Sequence, residues 1–479
     1  MSAAENEQAR RPRLTLAGLL MLTTVTGVIG GLGAPMVPAI AAAEDVSLTA
    51  AQWSLTLPLL VGAIVTPIVG RLGSGRRRRT TILVCLTAVA AGSLAAALPL
   101  GFAALIVGRA LQGIGFAMTP LAISIARDVV PDERVTGAVS ALSVASVASA
   151  GLGFPVAALL ADGLGVKGAF GAAFACTVLT LAAAVVAVPK STARAADRVD
   201  WFGALLLGSA TLCLLLVIGR AHTWGYTSAL VACLLAGGVA LLAASVAWML
   251  RRPNPLVDLR IATRPGVLAP NLAALAVGLG MYILIAIVMV LVQSGGDDGG
   301  YGLGHSVTVA GIMMLPYAVA SAVGSRIALL LSTRFGPDLL LPSGCVLFCA
   351  ANLMLAAAHT QLWHVAVVMA VAGLGAGATF NSMPWLMIRV VPAAETASAL
   401  AFNVVLRFLG FSLGSAVSVV ILEAFGDSSG RHTETGFVVG ALTGAGVCAC
   451  AAVGCVALAR SARTRRAVSG PAARGNMKV

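Results

Sequence analysis

Fourteen apolar stretches, each close to the ~20 residues that a helix needs to cross a bilayer, follow one another along the chain. In chain order we number them spans 1 to 14, at about 14–41, 51–70, 80–99, 102–126, 135–160, 167–188, 201–219, 227–249, 266–293, 306–331, 339–358, 363–388, 397–422 and 436–459. Only 10% of the residues are charged, against about 25% in soluble globular proteins. The sequence therefore predicts an all-α polytopic membrane protein with fourteen transmembrane helices.

The distribution of basic residues supports this count. If the N-terminus is cytoplasmic, 26 of the 31 lysines and arginines fall in inner loops and tails and three in outer loops, while Arg109 and Arg407 lie inside spans. Inner loops carry such an excess in membrane proteins, and one missed span early in the chain would destroy the bias. We therefore predict that both termini are cytoplasmic, with an N-terminal tail at 1–13 and a basic tail at 460–479.

An internal repeat divides the chain. GIGFAMT at 113–119 is similar to GLGAGAT at 373–379, and VVP follows in both cases. Span 4 thus corresponds to span 12. This correspondence predicts a six-helix bundle at 14–188, two linker helices at 201–249 and a second six-helix bundle at 266–459. Repeats in the same orientation are typical of carriers in which two bundles rock about a central cavity.

Span 4 carries a full charge at Arg109, about two turns into the helix. Arg109, Gln112, Gly113 and Pro120 share one helical face. A charge at the centre of a membrane helix costs about 2.5–3.5 kcal/mol on insertion scales, and it usually faces a protein interior or a watery cavity. The corresponding residue of the second repeat is the apolar Met369. We therefore expect the Arg109 guanidinium to project into a wet cavity between the bundles. The alternative is an arginine that reaches the outer headgroups.

This stretch resembles the fourth-span motif of the major facilitator superfamily, an Arg followed by x-x-Gln-Gly-x-Gly and later a Pro. The match includes Gln112, Gly113 and Gly115, and the chain as a whole resembles the fourteen-span drug:proton antiporter branch. The resemblance implies the major-facilitator fold, with two six-helix bundles and two extra helices. It also implies that Arg109 takes part in proton transfer.

Two further segments resemble motifs of that family. The loop GRLGSGRRRRT at 70–80 is similar to the signature between spans 2 and 3, with matches at Gly70, Leu72, Gly73, Gly75, Arg76 and Arg77. Where the family has an aspartate that helps to gate the inner face, this chain has Ser74. Span 5 resembles the antiporter motif through Gly151, Gly153 and Pro155, although Phe154 separates the last two. The resemblance assigns these residues to gating and close helix packing.

The charges inside the spans constrain the cargo. None of the eighteen carboxylates lies deep within a span, whereas Arg407 lies about ten residues into span 13. A cation in a midplane cavity would meet Arg109 and Arg407 without a counter-charge. We therefore expect neutral, zwitterionic or anionic amphipathic compounds in preference to quaternary-ammonium dyes. Gln112, Asn381 and Asn403 would supply polarity to the cavity or, equally, hydrogen bonds between helices.

The sequence predicts a secondary active transporter of the plasma or inner membrane. By resemblance, it exports drugs, antibiotics or secondary metabolites by alternating access, in exchange for protons. Since arginine does not readily deprotonate, the boundary acids Asp128, Asp162 and Glu423 are the candidates for a proton carrier. The alternatives are a gradient-coupled importer or facilitator of a small metabolite and a membrane sensor without transport.

Other classes of protein are not supported by the sequence. The spans lack paired carboxylates, a zinc-binding HExxH and a Ser/His pairing, and there is no ATP-binding GxxxxGK[ST] loop. We therefore expect neither an enzyme nor a bound cofactor or metal. The expected partners are a small-molecule substrate, protons and membrane lipid, without nucleic acid, and the expected state is a monomer.

Overall fold

The computed structural model describes residues 3–51, 53–73, 77–189, 200–225, 227–253, 255–295, 300–335, 339–427 and 431–468, and all regular structure in these ranges is helical. The α-helices are Ala3–Gly31 (α1), Gly33–Ala43 (α2), Leu48–Ala51 (α3), Trp53–Leu72 (α4), Arg78–Ala97 (α5), Phe102–Gly113 (α6), Met118–Val129 (α7), Asp132–Ala187 (α8), Trp201–Trp224 (α9), Ala229–Arg251 (α10), Leu259–Ala262 (α11), Pro265–Gln293 (α12), Val307–Ile312 (α13), Met314–Phe335 (α14), Leu340–Ala357 (α15), Leu362–Ile388 (α16), Thr396–Ala424 (α17) and Glu434–Val468 (α18). Short 3₁₀ turns at Ile114–Ala117 and Ala393–Glu395 precede α7 and α17.

Thirteen helical segments in this part of the chain are long and apolar enough to cross a membrane. One of them, Glu133–Ala187, has 55 residues, more than twice the ~20 that one crossing requires. It is interrupted at Gly165, whose φ of 69° and ψ of 175° are not helical and suit glycine. Val135 and Val188, near its two ends, lie in one apolar cluster with Leu19. The chain therefore reverses at Gly165 and crosses twice, which gives fourteen crossings, as predicted.

Each half of the chain has an apolar core of its own. In the N-terminal half (14–188), one cluster contains Ile29, Leu105 and Phe170. In the C-terminal half (266–459), the largest cluster contains Ile287, Phe348 and Phe437. The linker helix α9 packs against both halves, because Leu215 shares a cluster with Leu60 and Val404.

The repeated glycines occupy equivalent positions in the two halves. A Cβ at Gly113 would lie 2.3 Å from the carbonyl oxygen of Pro58, and one at Gly373 would lie 2.3 Å from that of Tyr317. Neither backbone could tolerate such a contact. The repeat thus sets how closely span 4 approaches span 2 and span 12 approaches span 10.

Candidate functional site

A cavity lies between the two halves. The space open to the centre of a water molecule is about 140 Å³, well above the ~10–15 Å³ that one water needs, so the cavity has room for several waters. Its wall is mostly apolar and aromatic, with a few hydroxyl groups. The lining residues are Thr26, Gly27, Gly30, Gly31, Leu55, Leu59, Gly115, Phe116, Thr119, Ser146, Val147, Ala150, Gly151, Phe154, Met281, Tyr282, Ile285, Met314, Tyr317, Phe380, Arg407, Phe408 and Phe411.

Arg407, on α17, is the one charged side chain among the described residues that line this cavity. Its Cζ lies 5.1 Å from the centroid of the Phe380 ring, within the range of a cation–π contact. Within the described ranges, its guanidinium makes no hydrogen bond and no ion pair. Arg407 thus lies on the wall of the space between the halves, and its role there stays a prediction.

Arg109 lies elsewhere. Its side chain has no accessible surface, so it borders no space large enough for a water molecule. Nε donates to the carbonyl oxygen of Ser54 (2.7 Å), and Nη1 donates to the carbonyl oxygen of Ile29 (3.3 Å) and to Oε1 of Gln112 (2.6 Å). Cζ lies 5.8 Å from the Phe170 ring centroid. The expectation that this guanidinium projects into the cavity between the halves is wrong, because it is enclosed within the N-terminal half.

The carbonyl oxygens that accept hydrogen bonds from Arg109 explain why its side chain lies inside the N-terminal half. Pro58 has no backbone N–H, so the carbonyl of Ser54, four residues earlier in α4, loses its helical partner. Helix α1 ends two residues after Ile29, whose carbonyl oxygen accepts a long turn contact from the backbone nitrogen of Leu32 at 3.3 Å. A guanidinium offers five donors in a fixed plane. Arg109 therefore pairs with carbonyls at two helix breaks, and the sequence signal for this role is Pro58 rather than the charge itself.

The three buried amides predicted as pathway residues join helices within one half. Their bonds run from Gln112 Nε2 to Ser93 Oγ (2.9 Å), from Asn381 Nδ2 to Ser325 O (3.4 Å) and from Asn403 Nδ2 to Pro270 O (3.0 Å). None of the three is among the residues that line the main cavity, although Asn403 borders a smaller space beside Arg407. Their contacts match the alternative stated above, hydrogen bonds between helices.

Most of the glycines predicted for gating and packing lie at close contacts between helices. A Cβ would lie 2.8 Å from Ala401 Cβ at Gly70, 2.0 Å from Leu121 Cδ2 at Gly73, 3.3 Å from Thr26 Cβ at Gly115, 3.1 Å from Tyr317 Cδ1 at Gly151 and 2.8 Å from Gly31 Cα at Gly153. Pro120 and Pro155 are buried, Leu72 is half-buried and Arg77 is exposed. Ser74, Gly75 and Arg76 lie outside the described residues. The contact at Gly70 joins the two halves.

Polar contacts join the two halves at the face of the molecule that carries the basic loop at 70–80, the arginine-rich face. Arg71 Nη1 lies 2.7 Å from Oε1 and 2.8 Å from Oε2 of Glu395, in the other half. Arg127 Nη1 donates to the carbonyl oxygen of Val391 (2.9 Å), again across the halves. In the conformation described, these contacts join the two halves at that face.

Among the described residues, Asp128 and Glu395 form ion pairs with arginines of the basic loop at 70–80, and sequence reasoning missed Glu395. Arg78 forms an ion pair with Asp128, at the end of α7, within the N-terminal half. Glu395, the partner of Arg71, was not among the predicted site residues. The signal was available in the repeat, because Glu395 follows VVP at 390–392 as the charged run from Asp132 follows VVP at 129–131.

Comparisons with known proteins agree with this architecture. The family model described as Major Facilitator Superfamily matches residues 19–292 and 270–476. A protein named "Probable actinorhodin transporter" from Streptomyces coelicolor is 27% identical over an alignment of 426 residues, and the match covers 84% of this chain and 70% of that protein. The "Tetracenomycin C resistance and export protein" of Streptomyces glaucescens is 26% identical over an alignment of 423 residues, and the match covers 86% of this chain and 76% of that protein.

Solved structures show the same fold. A POT family peptide transporter matches with a TM-score of 0.61 at 16% identity, over 94% of this chain and 97% of the other. The human organic anion transporter MFSD10 matches with a TM-score of 0.61 at 15% identity, over 93% and 99%. These likenesses confirm the predicted all-helical fold. The chain therefore belongs to the Major Facilitator Superfamily, as a non-enzymatic, multi-pass transporter of the cell membrane.

Proposed function

We propose that this transporter is a secondary exporter of small amphipathic organic compounds such as drugs, antibiotics or secondary metabolites. The observation that carries the proposal is a cavity lined by both halves, together with an ion pair that joins the halves at the arginine-rich face. A carrier that binds on one side of a membrane and releases on the other needs such an arrangement. A relative named for tetracenomycin C resistance and export supports the outward direction.

Alternating access is the proposed mechanism. The bundles at 14–188 and 266–459 would rock about the cavity, with 201–249 as linker helices. To open the arginine-rich face, the contacts of Arg71 with Glu395 and of Arg127 with Val391 must break, and water then pairs with the separated groups. The positive-inside rule supports a cytoplasmic position for that face and for both termini.

Exchange with protons is the proposed energy source. It is supported by resemblance to the antiporter branch and by the lack of an ATP-binding loop in the sequence. Arg109 is held by uncharged acceptors and, as a guanidinium, does not readily release a proton. The boundary acids Asp128, Asp162 and Glu423 stay the candidates for the proton carrier.

Inverted membrane vesicles that contain the transporter test this function. With an imposed pH gradient, we expect at least one compound of an antibiotic panel to accumulate inside the vesicles, and a protonophore to abolish the accumulation. Vesicles without the transporter are the control. Accumulation only in right-side-out vesicles would contradict export and favour the importer alternative. Absence of transport of the whole panel and of small metabolites in both orientations would contradict a carrier function.

A further inference from the structure

The cavity contains one cation, Arg407, that no acidic residue of the described ranges neutralises. Arg407 is half-buried and lines both the main cavity and the smaller space beside Asn403. Among the described residues, no Asp or Glu lines either space, and the guanidinium lies against the Phe380 ring without an ion pair. A charge removed from bulk water and left without a partner is unfavourable, whereas an anion that enters the cavity gains a charge-assisted contact. The cavity therefore favours ligands with a negative group.

The hydroxyl groups around Arg407 do not take the place of an anion. The Tyr317 hydroxyl donates to Sδ of Met281 at 3.4 Å. Thr119 Oγ1 donates to Ser146 Oγ at 3.0 Å. Both groups are neutral and are engaged in contacts of their own. The positive charge of the cavity is thus uncompensated, and it would repel a cationic ligand.

Aromatic side chains line the same cavity as the Arg407 guanidinium. Phe411 lies one helical turn after Arg407, on the same face of α17. Its ring stacks on Tyr282, with centroids 4.9 Å apart and planes inclined by 26°. Phe408 contacts Phe116 of the other half edge-on, with centroids 5.0 Å apart. Rings in such arrangements offer both faces and edges to a further aromatic group.

We propose that the substrates of this cavity are aromatic compounds that carry an acidic group, and that Arg407 binds that group. The ring system would lie among Phe116, Phe408 and Phe411, with the carboxylate, sulfonate or acidic phenol on the guanidinium. This inference rests on the proposed function, because it names the class of compound that the exporter carries.

Calorimetric titration of the purified full-length protein with three two-ring probes tests the proposal. The probes are 2-naphthalenesulfonate (negative), 2-naphthalenesulfonamide (neutral) and N-methylquinolinium (positive), which share a flat system of two fused aromatic rings. We expect the sulfonate to bind about tenfold more tightly than the sulfonamide, the effect of one charge-assisted hydrogen bond, and the cation to bind most weakly. Arg407→Gln should lower the sulfonate affinity to that of the sulfonamide, and Arg407→Lys should lower it less. Arg431→Gln, which removes a loop arginine, is the matched control and should change nothing.

Equal wild-type affinities for the sulfonate and the sulfonamide would overturn the proposal. A preference that survives in Arg407→Gln would overturn it too. If that variant does not fold, the wild-type comparison of the three probes decides alone. In the vesicle assay, gradient-driven transport of neutral compounds but not of the sulfonate would overturn the substrate class and leave export intact. A sulfonate preference in binding without any gradient-driven transport would contradict the exporter and support the anion site.

Discussion

The ion pair between Arg71 and Glu395 should set how much of the protein has its arginine-rich face closed. Arg71 Nη1 reaches both carboxylate oxygens, at 2.7 and 2.8 Å, and the side chains are 6% and 25% exposed. Hydrogen bonds to charged groups contribute about 1.5–3 kcal/mol when shielded, and exposed pairs about 0.2–1 kcal/mol. Intermediate exposure places this pair at about 1–2 kcal/mol. Glu395→Gln should therefore raise the ratio of open to closed protein by about 5–30-fold.

The labelling rate of a cysteine in the cavity measures this ratio. Ser146 lines the cavity, and Ser146→Cys can be introduced after the nine native cysteines, all of them free, have been replaced. A membrane-impermeant maleimide applied to the arginine-rich face then reaches the cysteine only when that face opens. We expect Arg71→Gln to raise the rate as Glu395→Gln does. The double variant should exceed neither, because each change alone already removes the ion pair.

A matched control neutralises an ion pair that does not join the halves. Asp427 Oδ2 lies 3.8 Å from Arg431 Nε, four residues later in the same loop. Asp427→Asn should leave the labelling rate unchanged. The reasoning is refuted if Glu395→Gln labels at the wild-type rate, or if the effects of the two single variants add in the double variant.

Three further changes test other contacts. Arg109→Ala should leave membrane insertion intact but lower both thermal stability and transport, because two carbonyls at helix breaks lose their donor. Wild-type melting of the detergent-purified variant would contradict this role. Gly70→Leu should raise the labelling rate described above, because even a Cβ there would lie 2.8 Å from Ala401 Cβ in the closed state, and an unchanged rate would contradict the close contact. Gly165→Ala should lower the melting temperature, since a residue other than glycine at φ 69° and ψ 175° costs about 1–3 kcal/mol, whereas Gly163→Ala, with no atom within 4 Å of its Cβ, should not.

The membrane spans could be predicted because their signal is local. Each span shows its apolar length within about 20 residues, and the basic loops between spans fix the count. Spans 5 and 6 show that this local signal is sufficient. They were predicted as two separate spans, and the structure contains both in one helical segment of 55 residues that reverses at Gly165. The correspondence of Gly113 with Gly373 could also be predicted from the sequence, because both glycines meet the same packing constraint and lie in similar sequence segments.

The sequence could not predict which way the polar face of span 4 points. Periodicity placed Arg109 and Gln112 on one face, and they do contact each other. Whether that face meets the cavity or the interior of a half depends on the rotation of α6 about its axis. That rotation is fixed by contacts distant in sequence, such as Gly108, where a Cβ would lie 2.4 Å from the carbonyl oxygen of Gly92. Glu395 was missed for a similar reason, because its partner Arg71 is 324 residues away.

The acceptors of Arg109 have a consequence for biosynthesis. Ile29 and Ser54 both precede Arg109 in the chain. Since a membrane protein emerges from the ribosome N-terminus first, the two carbonyls are already in the bilayer when the cation of span 4 arrives. The helix that is most costly to insert thus meets its hydrogen-bond acceptors on entry, and a circular permutant that places span 4 before spans 1 and 2 would present the charge to lipid alone.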